Sequence, residues 1–151
     1  GSEMCIRDRI YDYVIILRDN DSAHRMTVNM ESSLTDWLSA NLKKNDLLLT
    51  PEYTMNEVTM SGAMLYCGWP YYAWSAGYDT YYRAARAVEI YTTASAQVLK
   101  ETVEEEQITY ILFEEGMKFE EKECREDVIA DTYPLVYQSD DGRIRIYGTK
   151  E

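Results

Sequence analysis

One stretch limits what this chain can fold into more than any other. It runs Gly62-Ala-Met-Leu-Tyr-Cys-Gly-Trp-Pro-Tyr-Tyr-Ala-Trp-Ser-Ala-Gly-Tyr-Asp-Thr-Tyr-Tyr-Arg83 and holds two Trp and six Tyr. A core is filled most simply by Leu and Val, which have no N–H or O–H to satisfy. A run this dense in hydroxyl-bearing rings instead suits a surface where an apolar body meets a polar tip. Gly68 and Gly77 bracket it and permit left-handed backbone. Pro70 fixes its own φ and pushes Trp69 towards an extended conformation. The pattern predicts a shaped loop joining a strand to a helix. A plainer reading stands beside it, in which Trp69, Tyr72 and Trp74 plug the core of a small domain.

At 151 residues the chain has room for one domain and one core. Its 27 acidic and 15 basic side chains give a net charge of −12. Such a field repels phosphate backbones, which argues against a nucleic-acid partner, and repels an anionic leaflet unless a tether holds the domain close. Cys5, Cys67 and Cys124 are too few and too scattered for a disulfide framework or a zinc site. No apolar run is long enough to span a bilayer and no signal peptide is legible, so export would depend on a segment upstream. Gly1-Ser2 looks like a cleavage scar, and Ser2-Glu-Met-Cys-Ile-Arg-Asp-Arg9 like adapter read-through. Residues 1–9 are therefore set aside, leaving residues 10–151 as a single soluble α/β domain.

Ile10 to Leu17 is β-branched and aromatic and reads as a strand, with a helix remnant as the other possibility. Asp19-Asn20-Asp21 has the form of a metal-holding carboxylate pair, but two carboxylates cannot complete a six-oxygen shell, and acidic turns produce such triplets often. Asn20-Asp-Ser22 is a formal glycosylation acceptor, and His24 lacks any spaced metal-ligand partner. Met26 to Met30 suits a short strand. Ser33 precedes Leu34, Trp37, Leu38 and Leu42, an apolar stripe at helical spacing, with Asp36 completing a capping-box-like start and Lys43-Lys44 at the far end. Asp46 to Thr50, stopped by Pro51, reads as a strand covered on both faces. Then come a short helix within Glu52–Ser61 ending at Gly62, and a strand at Met64–Cys67 with the ring-rich loop at its carboxyl end, where ligand crevices form in open α/β sheets.

Thr80–Tyr91 and Ala94–Gln107 have helical spacing, with Ala84, Ala87, Val88 and Tyr91 on one face and Ala94, Val98 and Val103 on the other helix's face. Glu104-Glu-Glu106 reads as a solvated charge run. Ile108–Phe113 is a strand, and Phe119–Ala130 an acidic helix or loop. Asp140-Asp-Gly142 between Pro134–Tyr137 and Arg143–Tyr147 signals a hairpin. The alternation predicts an α/β fold with a mainly parallel sheet of about five strands flanked by helices and a C-terminal antiparallel hairpin.

No nucleophile–base pair, phosphate-cradling glycine pattern or metal-spaced cluster is legible, so no catalytic residue, cofactor or metal is assigned. Asp79 and Arg83, four apart at a helix start, suit an ion pair that fixes the loop. If the segment binds a ligand, Trp69, Tyr71, Tyr72 and Trp74 can stack on a sugar's apolar face while hydroxyls and Asp79 take its hydrogen bonds. The same rings suit a lipid interface.

Gly68-Trp-Pro-Tyr-Tyr-Ala-Trp-Ser-Ala-Gly-Tyr-Asp79 resembles a G-W/Y-P-x-x-x-W-S-x-G-Y/I-D signature. That signature belongs to the C-terminal soluble domains of bacterial multi-spanning membrane proteins related to GT-C-type glycosyltransferases, which use lipid-phosphate-linked sugars. Flanking motifs keep the same order: Trp37 to Asn41, Asp46 to Thr50, Ser61-Gly62, Ile108 to Ile111 and Pro134 to Tyr137. The resemblance implies a domain on the outer face of the cell membrane, joined to an N-terminal transmembrane domain. It implies proximity to a lipid-linked sugar or glycan, with Gly68, Trp69, Pro70, Tyr71, Tyr72, Trp74, Ser75, Gly77, Tyr78, Asp79 and Arg83 as the binding or docking segment. The catalytic carboxylate of such enzymes lies in the membrane domain, so no position here inherits a catalytic role. A free-standing glycan- or protein-binding module without catalysis is the second hypothesis.

Overall fold

The computed structural model describes residues 32–54, 57–119 and 122–150, together with residues 14, 15 and 18. Val14 and Ile15 are helical, so at these two positions the helix, not the preferred strand, is the outcome. The acidic triplet at 19–21, the acceptor Asn20, His24 and the strand expected over 26–30 lie outside the described residues.

Helix α1 spans Ser33–Asn41. Its N-cap is Ser32, one residue before the expected position, with Oγ accepting the Thr35 N–H at 3.2 Å. Leu34 and Leu38 form its buried stripe. Lys43 and Lys44 fall beyond the helix, and the Lys43 N–H donates to Asp46 in the turn that starts strand β1, Leu47–Leu49. Helix α2 is the single turn Glu57–Met60, shorter than the sequence suggests, and leads through Gly62 to strand β2, Met64–Leu65. Helices α3 (Pro70–Ser75), α4 (Thr80–Thr92) and α5 (Ala96–Glu105) follow, then strand β3 at Tyr110–Glu114. Helix α6, Glu126–Thr132, precedes the hairpin of β4 (Leu135–Gln138) and β5 (Ile144–Gly148).

The five strands form one sheet in the order β2-β1-β3-β5-β4. β1 pairs in parallel with β2 and β3, while β5 is antiparallel to both β3 and β4. Among the described strands four thus share one direction and β5 is reversed, so the sheet is mixed in its pairings. The reversal arises because β4 takes the edge and β5 folds back between it and β3. Gly142, at φ 72°, supplies the left-handed residue of the connecting turn.

Both faces are covered, and strand residues alternate between two apolar layers. Leu49, Ile111, Phe113 and Tyr147 face α4, α5 and α6; Leu48, Leu112 and Ile146 face α1 and α2. The first layer centres on Tyr91, fully buried, whose hydroxyl donates to the Leu112 carbonyl at 2.5 Å and whose ring stacks on Phe119. The buried stripe of α4 is Ala87, Ile90 and Tyr91, and that of α5 is Leu99, Thr102 and Val103. Val98, expected on the inner face, is displaced from it by one position because Leu99 takes that place.

Candidate functional site

The ring-rich segment leaves the carboxyl end of β2 at Gly68, whose φ of 53° turns the chain sharply. A side chain there would press on Leu65, with its Cβ 3.2 Å from Leu65 Cδ1. Trp69 is extended at ψ 111° and acts as the N-cap residue of α3, with Pro70 in the first turn, where its missing N–H costs nothing. The segment is therefore a short helix between two turns, not the plain loop that the sequence suggests. It ends when the Gly77 N–H donates to the Trp74 carbonyl and the Tyr78 N–H to the Ala73 carbonyl. This double closure needs a left-handed residue, and Gly77 supplies it at φ 87°.

Helix α3 buries none of its residues. Tyr71, Tyr72 and Trp74 are each about two-thirds exposed, at 65%, 69% and 66%, and Tyr78 is also exposed. Tyr71 meets Tyr72 edge-on and lies tilted against Trp74, with centroids 5.9 and 6.4 Å apart. Trp69 is half-buried and meets the ring of Tyr53 edge-on at 5.2 Å. From Gly68 through Tyr78 no side chain carries a charge, although the whole chain has 42 charged residues. These rings form an exposed, uncharged cap on an acidic body, and the core-plug reading fails for Tyr72 and Trp74.

Two residues fasten the cap. Asp79 caps α4, accepting the Tyr82 N–H at 3.0 Å. Arg83 lies between two rings, its guanidinium carbon 4.4 Å from the Tyr78 centroid and 5.0 Å from that of Tyr66, and donates to the Tyr66 carbonyl at 2.8 Å. No Asp79–Arg83 ion pair forms among the described residues, because each group is engaged elsewhere. Tyr78 is thereby held to Tyr66, the residue after β2, through a cation.

Glu106, expected as part of a solvated run, is instead a half-buried joint. Its carboxylate accepts the hydroxyls of Tyr66 at 2.7 Å and Tyr82 at 2.6 Å, and Arg86 Nε at 3.2 Å. Burial alone would raise its pKa, but the hydrogen bonds from Tyr82, Tyr66 and Arg86 outweigh burial and hold it below the usual glutamate value. Burial first, then this carboxylate, pushes the Tyr66 phenol well above its ordinary range. Glu104 and Glu105 are exposed as expected.

Three residues of this surface were not singled out by the sequence. Tyr53 has φ 59°, a left-handed conformation that is unusual for a bulky residue, and no local pattern signals it. Tyr82 and Glu106 are 24 residues apart and meet only through helix packing. Cys67 and Cys124 are free thiols, Cys67 buried beside Glu52. No group of metal-ligating side chains exists among the described residues, and no described helix is long and apolar enough to cross a membrane.

With this geometry in hand, comparison with solved structures places the architecture. The fold is similar to that of the C-terminal globular domain of an oligosaccharyltransferase. The enzyme is from Archaeoglobus fulgidus, and the likeness has a TM-score of 0.52 at 14% identity, covering 83% of this chain and 99% of that one. No protein-family model matches the chain, and no curated protein matches it. The likeness is one of backbone path, so the role of the cap rests on its own exposure and chemistry.

Proposed function

We propose that this chain is the outer-face C-terminal domain of a multi-spanning, glycosyltransferase-like membrane protein of the bacterial kind its signature resembles. The ring-rich cap packs on the N-terminal membrane domain and helps to position a lipid-linked sugar or glycan. The observation that carries this reading is the exposure of Tyr71, Tyr72 and Trp74 on a helix that contributes nothing to the core. Rings with polar tips, rigid and without charge, suit a contact that is half apolar protein and half headgroup layer. The fold likeness to a domain of an oligosaccharyltransferase supports the same setting. By the same signature resemblance, catalysis belongs to the membrane domain, and no residue of this chain is assigned a catalytic role.

The test is recovery of the complete reading frame followed by substitution of Tyr71, Tyr72 and Trp74 by Ser. Several hydrophobic spans upstream, and loss of glycosyl transfer in a variant that still folds, are expected. A natural start directly before Ile10 without such spans would sink the proposal.

The second reading is a free-standing glycan- or protein-binding module, favoured by the tilted Tyr71–Trp74 pair, which offers a stacking platform. Glycan titration followed by Trp fluorescence separates the two: saturable quenching by the isolated chain, lost in Trp74→Ser, selects the binding module.

A further inference from the structure

A concavity lies at the opposite end of the sheet from the cap. It has a volume of about 1080 Å³ and is bounded by residues that precede β1 and β3, by the end of β5, and by α5 and the end of α6. We propose that this cleft binds a small, neutral, polyhydroxylated ligand of the sugar class, independently of the cap.

Some polar groups of the cleft are already engaged within the fold. Thr109 Oγ1 accepts the Leu47 N–H at 2.8 Å and donates to the Leu47 carbonyl at 3.1 Å, and Thr149 Oγ1 donates to the Ile108 carbonyl at 2.6 Å. Lys150 is paired with Asp46 at 2.8 Å. By contrast, the side chains of Asn45, Lys100, Glu104, Gln107 and Tyr133 line the same cleft and make no hydrogen bond or ion pair with any described residue. Lys100 and Glu104 are four apart on α5, yet they do not pair with each other.

These five groups define the ligand by their sum. One cation and one anion cancel, so neither a phosphate nor an ammonium is favoured. The two amides and the phenol both donate and accept, as a set of hydroxyls requires. Burial, and then the nearby Glu104 carboxylate, raise the Tyr133 phenol, which keeps its proton at neutral pH. Beneath them Leu47, Val103 and Ile108 supply an apolar floor. A pyranose has this dual character, with hydroxyls at its rim and C–H groups on its face, whereas an apolar ligand would leave five polar ends unmatched.

The second observation is backbone strain at Gln107. It occupies the residue after the C-cap of α5 at φ 56°, where glycine is unstrained. Its N–H closes on the Glu104 carbonyl at 3.1 Å, and that of Ile108 on Val103 at 3.0 Å, so this helix ending requires the left-handed residue. Gln107 is exposed at this left-handed position, and its amide lines the cleft with no protein partner among the described residues, so a ligand can take the place of its water.

The test is an amide chemical-shift titration of the 151-residue chain with glucose, mannose and N-acetylglucosamine, each to about 20 mM. Saturable shifts at Lys100, Glu104, Gln107 and Tyr133 with at least one sugar are expected. Gln107→Gly should raise the melting temperature yet weaken binding about tenfold, a split that a merely structural glutamine would not give. Trp74→Ser should leave this affinity unchanged, which separates the cleft from the cap and lets either proposal fail alone. Absence of saturable shifts with all three sugars overturns the inference, as would binding undiminished in Gln107→Gly or a preference for inorganic phosphate.

Discussion

Arg83 shows how one residue can hold a surface in place without an ion pair. Its planar cation lies over the rings of both Tyr78 and Tyr66 and donates a hydrogen bond to the Tyr66 carbonyl. Lysine has charge but neither the plane nor the fork, so Arg83→Lys should already cost about 1 kcal/mol. Denaturant titration checks the stability, and Tyr78 side-chain NMR checks release of the ring. Thr50 gives the opposite case. Its Oγ1, at the carboxyl end of β1, is fully buried and has no hydrogen-bond partner among the described residues. Thr50→Val keeps the shape and removes the unsatisfied hydroxyl, so it should raise stability by about 1 kcal/mol in the same measurement. Neither outcome is visible in the sequence, where Arg83 reads as the i+4 partner of Asp79 and Thr50 as an ordinary strand residue.

Among the elements, α3 is set apart because it is fixed at its ends and not by its face. Gly68, Pro70 and Gly77 set its entry and exit, and its rings contribute no core burial. Tyr72→Ser and Trp74→Ser should therefore shift the melting temperature by no more than the scatter of surface substitutions, whereas Gly77→Ala, at φ 87°, should cost about 1 kcal/mol. Calorimetry on the three variants distinguishes a docking surface from a hidden core element: large losses from the ring substitutions would contradict it. The joint at Glu106 ties the end of α5 to α4 and to Tyr66 beyond β2. Its carboxyl pKa is lower in the folded chain than the reference 4.5, so its contribution is present above 4.5 and is lost as pH falls through the folded value. Glu106→Gln should flatten the loss of stability on acidification, while lowering stability at neutral pH.

At the scale of the molecule, the balance of acid and alkaline effects follows from what the two cores enclose. The Cys67 thiol is pushed from 9.0 up to about 11, by burial first and by Glu52 second. A raised folded value means that the unfolded chain loses its proton first. The Cys67 contribution to stability is therefore complete below pH 9 and declines as pH rises towards 11. Cys67→Ala should make that decline shallower, read as unfolding free energy against pH. Tyr147, raised to about 12 by burial and then by its hydrogen bond to Glu126, extends the same loss further. The net charge of −12 opposes compactness throughout, so moderate salt should raise the melting temperature.

Periodicity and turn chemistry were enough to indicate an α/β chain, the helices α1, α4 and α5, the strands β1 and β3, and the Asp-Gly hairpin, because these are set by local sterics and by side-chain spacing. The surface character of Tyr71, Tyr72 and Trp74 in the aromatic segment was also legible from the density of polar-tipped rings, but Tyr66 of the same segment is sealed in the core, where its hydroxyl meets Glu106. The short helix inside the segment was not legible, because six residues give too little periodicity to read. Strand order was hidden too: insertion of β5 between β3 and β4 depends on which edges meet, and no residue encodes that alone. The same holds for Glu106, whose charge run reads as solvated until Tyr66, Tyr82 and Arg86 close around it from distant positions. Local chain stiffness and apolar spacing made the elements; contacts between elements far apart in sequence decided which polar groups became joints and which surface was left for a partner.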